Sequence, residues 1–170
     1  WAICAFGLGV QEDGSIDNEK VQININGGTI SVLNDGQGIA TNASSGIYAG
    51  FTIQMTDGMI SAEGVGGCGM YLPAVGKTTI SGGTIKAGQA IRIAAGELDI
   101  TGGTIEGTAA MEADTDLISG GSGGTQGAVV IGKASTGYTG DIMVNISNGA
   151  EIINSASEPE KSAPAIVVSD

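Results

Sequence analysis

The chemistry open to this chain is limited by its bases, because it has no histidine and only six lysines and arginines. The missing histidine excludes Ser-His-Asp and Cys-His catalysis and zinc sites built on imidazole. Lysis of an acidic polysaccharide stays open, since it needs an Arg or Lys base beside calcium held by carboxylates. The candidates for that base are Arg92, Lys77 and Lys86. Arg92 alternates with Ile91 and Ile93, so we expect it to point outward from a sheet face.

A simpler interpretation is available for the lysines. Lys86 and Glu106 hold equal positions in two repeats, so on adjacent parallel strands they should lie side by side as an exposed ion pair. Such a pair contributes only about 0–1 kcal/mol. Glycan hydrolysis would need carboxylates clustered roughly 5–9.5 Å apart. Asp57 and Asp99 occupy different positions in the repeated sequence, so they are not expected to form such a cluster. The sequence therefore favours a protein with no catalytic residue, and a calcium-dependent polysaccharide lyase is the alternative.

Two acidic stretches are the candidates for binding calcium. Alternating acids in a loop supply the hard oxygen ligands that calcium prefers, although neither stretch has the EF-hand pattern. In a chain with a net charge of −12, solvated acidic loops are the simpler interpretation. Calcium is thus the one cofactor that the sequence leaves open. The candidate ligands are Asp13, Asp17 and Glu19 in the first stretch and Asp114 and Asp116 in the second.

A column of polar residues is predicted on one outward face. It contains Gln54, Thr79 and Asp99, with Asn24 and Asn145 at its ends. Any solvated parallel sheet would show such a column. Hydroxyl and amide groups repeated at the strand spacing could also bind an extended polysaccharide, and the column is therefore a candidate binding face.

Aromatic side chains that could stack on sugar rings are few. Tyr48, Tyr71 and Tyr138 are the plausible ones. Tyr71 is predicted to share an outward column with Arg92. We therefore expect the Tyr71–Arg92 face to be the best candidate for contact with a glycan.

The elements that position these residues are repeated strands. Two short sequence phrases recur along the chain. In the first phrase, apolar residues alternate with polar ones, as in a strand with one buried face, and a glycine follows at the same position of each copy. Glycine is expected there because the backbone needs positive φ or passes close to the next repeat. A second phrase, such as Ala90-Ile91-Arg92-Ile93, falls between the copies of the first. The copies of the first phrase are Ile23–Ile30, Ile53–Ile60, Thr78–Ile85, Leu98–Ile105 and Val144–Ile152, and the glycine column is Gly28, Gly58, Gly83, Gly103 and Gly149.

Strict alternation of two phrases predicts an all-β solenoid. The minimal repeat of 20 residues matches three short strands and three corners. We therefore expect a right-handed parallel β-helix of five to six turns with three short sheet faces, forming a single domain over residues 1–170. The rival is an antiparallel sandwich or barrel. Because the chain opens within a strand-like phrase, we also expect it to be a fragment of a longer secreted or surface protein.

The composition limits the classes of partner that we expect this chain to bind. A net charge of −12 repels phosphate backbones and anionic lipid, and no apolar run approaches the roughly 18 residues of a membrane span, so neither nucleic acid nor membrane insertion is expected. Cys4 and Cys68 fall two turns apart, beyond the ~7 Å limit between disulfide-bonded Cα atoms. We expect both to be free thiols.

The phrases around Ala90–Ile93 and Gly96–Ile105 resemble the pectate-lyase-like β-helix superfamily, and most closely its non-catalytic carbohydrate-binding surface proteins from anaerobic Gram-positive bacteria. The resemblance implies an extracellular or cell-surface adhesin module that binds a polysaccharide or a host surface protein, sometimes with calcium. The acidic residue usual before the Gly-Ile strand is replaced here, which weakens a transferred calcium site. A passive stalk that spaces another domain from the cell is a further alternative. The replacing residues are Gln37, Cys68, Gln89, Gly127 and Pro164.

Overall fold

A computed structural model describes residues 1–7, 21–33, 36–43, 51–62, 64, 66–109, 126–132, 138, 140–147, 149–156 and 163–168. Within these residues the chain is all-β, with twelve strands and no helix. The strands are β1 (Ile3–Gly7), β2 (Gln22–Val32), β3 (Gln37–Ala43), β4 (Phe51–Ala62), β5 (Cys68–Leu72), β6 (Gly76–Ala87), β7 (Gln89–Ile93), β8 (Glu97–Gly107), β9 (Val129–Ile131), β10 (Met143–Ile146), β11 (Ala150–Asn154) and β12 (Ile166–Val168).

The strands form two parallel sheets. The first sheet has the order β1-β3-β5-β7-β9-β12, and the second has the order β10-β8-β6-β4-β2, with β11 also paired to β8. From β1 to β10, consecutive strands belong to alternate sheets, as the alternation of the two phrases predicts. Every strand pair among the described residues is parallel. The antiparallel sandwich or barrel is therefore wrong.

The ladders between the long strands of the second sheet are irregular at the glycine column, a position that we call the glycine corner. Register shifts interrupt the β2–β4 and β6–β8 ladders there, and β8 pairs its first half with β10 and its second half with β11. The predicted need for positive φ is confirmed in all five glycines, whose φ lies between 80° and 98°. Close approach is confirmed as well, since a Cβ on Gly103 would lie 2.7 Å from the carbonyl oxygen of Gly83.

The Ser or Thr that precedes the glycines forms a hydrogen bond across strands at the glycine corner. Where the register shifts, backbone carbonyls lose regular ladder partners, and a neighbouring hydroxyl can satisfy them. The Thr101 hydroxyl donates to the Ile80 carbonyl at 3.3 Å, and that of Ser81 to the Met55 carbonyl at 3.5 Å. The Ser or Thr of the repeated phrase thus completes the hydrogen bonding of the corner.

The core consists of columns of aliphatic side chains from the inward face of each sheet. In the second sheet the register aligns Ile80 with Ile100 and Ile85 with Ile105, and all four are fully buried. Burying each such side chain contributes about 1.5–3 kcal/mol. The corresponding column of the first sheet is Ile39, Met70, Ile91 and Val129.

The two cysteines are free, as predicted. Cys4 lies on β1 and Cys68 on β5, and β3 separates these two strands in the first sheet. Among the described residues, the structure contains no helix long and apolar enough to span a membrane.

Candidate functional site

The predicted outward column is confirmed as one continuous register line of the second sheet. Asn24 pairs with Gln54, Gln54 with Thr79, Thr79 with Asp99, and Asp99 with Asn145. Asn24, Gln54 and Asn145 are exposed, and Thr79 and Asp99 are half-exposed. At ~4.8 Å between strands, the column extends about 19 Å across the sheet. We call these five residues the polar ladder.

A lysine connects the polar ladder to the neighbouring outward column. Lys77 lies two residues before Thr79 on β6, and its Nζ is 2.8 Å from Asp99 Oδ2 and 3.4 Å from Glu97 Oε2. From the other side, Asn145 Nδ2 donates to Asp99 Oδ1 at 2.8 Å. Both oxygens of Asp99 are therefore engaged, and its side chain is held between β6 and β10.

These contacts set the protonation states. The hydrogen bond to Asp99 raises the pKa of Lys77, and the Glu97 contact acts in the same direction. Hydrogen bonds from Lys77 and then Asn145 lower the pKa of Asp99. Near neutral pH, Lys77 is therefore a cation and Asp99 an anion. This arrangement favours charge-assisted hydrogen bonding and works against proton abstraction by Lys77, because a base needs a free amine.

An open groove of about 270 Å³ adjoins the polar ladder. Its walls include Lys77, Glu97, Tyr138, Asp141 and Met143. Lys77, Glu97 and Met143 form one register line two residues before the ladder on the same strands. The Tyr138 hydroxyl donates to the Asp141 carbonyl at 3.1 Å. We call this feature the Tyr138 groove.

The aromatic ring of the Tyr138 groove is held by its surroundings. Gly140 lies so close that an added Cβ would overlap the phenol of Tyr138. Tyr138 is half-buried, with its hydroxyl tied to the backbone, and its ring is therefore restrained beside the charged column. Such a ring can pack against the apolar face of a sugar with little loss of side-chain entropy.

The predicted pairing of Lys86 with Glu106 is also confirmed. The two residues are register partners on β6 and β8, and Lys86 Nζ lies 2.7 Å from Glu106 Oε1. Hydrogen bonds from Lys86 and then from the Ser155 hydroxyl lower the pKa of Glu106. The pair belongs to the second halves of its strands, beyond the glycine corner from the polar ladder.

Arg92 does not lie on an exposed face, contrary to our expectation. It is in register with Tyr71, as predicted, but it is only 7% exposed. All five residues of β7 are buried, so both faces of the first sheet are covered there. The alternation of apolar and polar residues correctly predicted that Arg92 lies on the side opposite Ile91. It could not show that this side of the sheet is buried as well. Arg92 therefore cannot serve as a surface contact in this structure.

Arg92 forms no ion pair with a carboxylate among the described residues. Burial lowers its pKa, and the groups that oppose this shift are Tyr71 and Cys68. Its Nη1 atom is buried and has no hydrogen-bond partner among the described residues. Burial raises the pKa of the Cys68 thiol to about 12 and also raises the pKa of Tyr71, with Arg92 partly offsetting both. The acidic groove that a lyase base requires does not surround Arg92 among the described residues.

The proposed calcium ligands cannot be placed. Asp13, Asp17, Glu19, Asp114 and Asp116 all lie outside the described residues, as does Tyr48. Across the part of the chain that is described, no three acidic or cysteine residues form a group that could hold a metal ion.

Sequence reasoning missed two parts of the site. The diagonal contact of Lys77 with Asp99 had a usable signal, because a 20-residue repeat places Lys77 beside Glu97 and hence two residues from Asp99. The position of Tyr138 had no such signal, since it precedes β10 in a segment without the repeated phrase. Comparisons of the sequence and structure with protein-family models, curated proteins and solved structures gave no match.

Proposed function

We propose that this chain is an extracellular, cell-surface binding or adhesin module that recognises carbohydrate without cleaving it. The observation that carries the proposal is the polar ladder, in which five hydrogen-bonding side chains align across adjacent parallel strands. The location at a bacterial surface rests on the resemblance to the pectate-lyase-like superfamily. A host surface protein is the alternative partner.

The chemistry of the polar ladder suits sugar hydroxyls. Asn and Gln amides both donate and accept, Thr79 does the same through its hydroxyl, and Asp99 accepts strongly because it is ionised. Repetition at ~4.8 Å offers equivalent contacts along an extended chain of sugars. Each net hydrogen bond contributes about 0.5–1.5 kcal/mol, so several along one ligand are needed for useful affinity.

We further propose that the two sheets belong to one right-handed parallel β-helix of five to six turns. In this arrangement the first sheet is one face, and each long strand of the second sheet folds over its glycine corner to supply the other two. The proposal is supported by strands β1 to β10, in which every second strand returns to the same sheet beside its predecessor. Right-handedness follows from the strong preference of parallel crossover connections.

Binding without catalysis fits the state of the candidate bases better than lysis does. Lys77 and Lys86 are both paired with carboxylates, and the pKa of Lys77 is raised, not lowered. Arg92 is buried away from solvent. None of the three is a free base beside an open acidic groove in the described structure.

The proposal is tested by glycan-array binding of the wild-type protein and two matched variants. Asp99→Ala removes a ladder carboxylate with a lysine partner, and Glu106→Ala removes a carboxylate with a lysine partner beyond the corner. We expect Asp99→Ala to weaken binding about tenfold or more and Glu106→Ala to leave it unchanged. Equal losses in both variants would contradict a role for the ladder.

Two further outcomes separate the alternatives. A protein that binds no glycan on the array, while remaining folded by circular dichroism, is a passive stalk. Release of unsaturated uronides, seen as ultraviolet absorbance on incubation with pectin and calcium, identifies a lyase. Either result rejects a non-catalytic carbohydrate-binding module.

A further inference from the structure

The charges around the polar ladder and the Tyr138 groove are unequal. In the described part of the chain, these two neighbouring features contain Lys77 as cation against Glu97, Asp99 and Asp141. Lys77 is already within ion-pair distance of two of these carboxylates. Among its described residues, the surface therefore presents an excess of negative charge and no uncommitted cation, on a chain whose net charge is −12.

We infer that the ligand of this surface is an uncharged polysaccharide, with the Tyr138 groove as the subsite that receives one of its sugar rings. This inference rests on the proposed carbohydrate-binding function and names its ligand class. A uronate would bring a carboxylate into an already anionic surface, where the charge of Lys77 is already shared between Asp99 and Glu97. Like charges brought together at an interface select strongly against the wrong ligand.

A neutral sugar meets the same surface without that conflict. Its hydroxyls can donate to Glu97 and Asp99, and they can accept from Lys77 while that lysine keeps its carboxylate partners, since an ammonium has three donors. Hydrogen bonds to ionised groups are stronger than those between neutral groups. The same carboxylates that repel a uronate therefore attract a hydroxyl-bearing sugar.

The Tyr138 groove supplies what the polar ladder lacks, which is an apolar platform. The restrained ring of Tyr138 and the half-exposed side chain of Met143 line one volume with the charged column. The groove borders β6, β8 and β10, and a chain laid across the strands along the ladder would pass beside it. One sugar can thus pack its apolar face on Tyr138 while its neighbours use the ladder.

The inference is tested by isothermal titration calorimetry at low salt, where electrostatic selection is strongest. The probes are three soluble neutral polymers, a glucan, a mannan and a xylan, together with polygalacturonate as the acidic polymer. We expect at least one neutral polymer to bind, and polygalacturonate to bind about tenfold more weakly or not at all. Binding of polygalacturonate as tightly as the best neutral polymer overturns the inference.

A charge-removing variant tests the cause of the selection. Glu97→Gln with Asp141→Asn keeps the side-chain shapes and removes two negative charges, so the preference for neutral polymer should fall about tenfold. Glu106→Gln is the matched control, since it makes the same chemical change beyond the corner, and it should leave the preference unchanged. An unaltered preference in the double variant, or an equal change in the control, rejects electrostatic selection by this surface.

The aromatic subsite is tested separately. Tyr138→Ala should weaken binding of the neutral polymer about five- to tenfold, while Tyr138→Phe, which keeps the ring and loses only its hydrogen bond to Asp141, should weaken it less than Tyr138→Ala does. Equal affinity of wild type and Tyr138→Ala rejects the groove as a subsite. If no polymer of either class binds the folded wild-type protein, the proposed carbohydrate-binding function itself fails, which is a result distinct from tight binding of the acidic polymer.

Discussion

Substituting alanine at the glycine corners should destabilise the protein by amounts that follow the distance between successive repeats. Gly28, Gly149 and Gly103 have φ of 80°, 96° and 85°, so an alanine at each meets a similar backbone conformation. They differ in what the new Cβ would contact. A Cβ on Gly28 would have no atom of the described residues within 4 Å, one on Gly149 would have a backbone oxygen at 3.2 Å, and one on Gly103 would have the carbonyl oxygen of Gly83 at 2.7 Å.

The magnitudes follow from two contributions. A left-handed conformation costs an L-residue about 1–2 kcal/mol, and the stiffer unfolded chain of an alanine variant returns about 0.4–1 kcal/mol. Gly28→Ala should therefore lower the free energy of unfolding by about 1 kcal/mol or less. In Gly103→Ala the Cβ must also displace a backbone carbonyl, and overpacking of this kind adds about 1–3 kcal/mol. We expect a total loss of about 2–4 kcal/mol, with Gly149→Ala in between.

The assay is equilibrium unfolding in urea, followed by circular dichroism, on the wild type and the three variants. The quantity compared is the free energy of unfolding extrapolated to water, with the slope on denaturant checked for constancy. The reasoning is refuted if Gly28→Ala and Gly103→Ala lose equal stability, because the positive φ that they share would then account for the whole loss, with no contribution from the Cβ contact. It is also refuted by a larger loss in Gly28→Ala, where the new Cβ contacts no atom of the described residues.

Three further outcomes are expected. Arg92→Met should raise the free energy of unfolding by about 1 kcal/mol, measured in urea, because it removes a buried charge that has no carboxylate partner in the described structure. A loss of stability in this variant would show that the guanidinium has hydrogen-bond or ion-pair partners in the folded protein. Cys68 should resist alkylation in the native protein, followed by peptide mass spectrometry, because burial raises its pKa to about 12. The lowered pKa values of Asp99 and Glu106 should contribute stability that is complete above about pH 5.5 and is lost as the pH falls below the ordinary pKa values of 3.8 and 4.5. Glu106→Gln should make the free energy of unfolding depend less on pH in this range. An unchanged loss of stability at low pH in Glu106→Gln would contradict a contribution from Glu106.

Local spacing was enough to predict much of the described architecture. The 20-residue distance between repeats places Lys86 beside Glu106 and Thr79 beside Asp99, and both pairings are register partners in the structure. The glycine column predicted positive φ or close approach of a neighbouring repeat; all five glycines have positive φ, and Gly103 also lies close to the repeat before it. Such features are predictable because a parallel register translates equal positions in the repeat into neighbouring positions in space.

Properties that depend on segments outside the repeat were not predictable in the same way. Alternation indicates the side of the strand from which Arg92 projects, but burial depends on what lies over that side. Likewise, Tyr138 reaches the column of Lys77 through a connection whose path no repeated phrase specifies. Period-2 patterns therefore predict orientation reliably, whereas exposure and grooves depend on connections with no periodic signal.

The corner and the candidate binding face are physically linked. Asp99 can meet Lys77 on one side and Asn145 on the other only while β6, β8 and β10 keep their register. The β6–β8 register shifts at the glycine corner, and Gly103 lies four residues after Asp99. A displaced corner in Gly103→Ala would shift β8 against both neighbours, so this variant should lose ligand affinity even under conditions where it remains folded. Gly28→Ala, at the edge strand and without a close contact, should retain it.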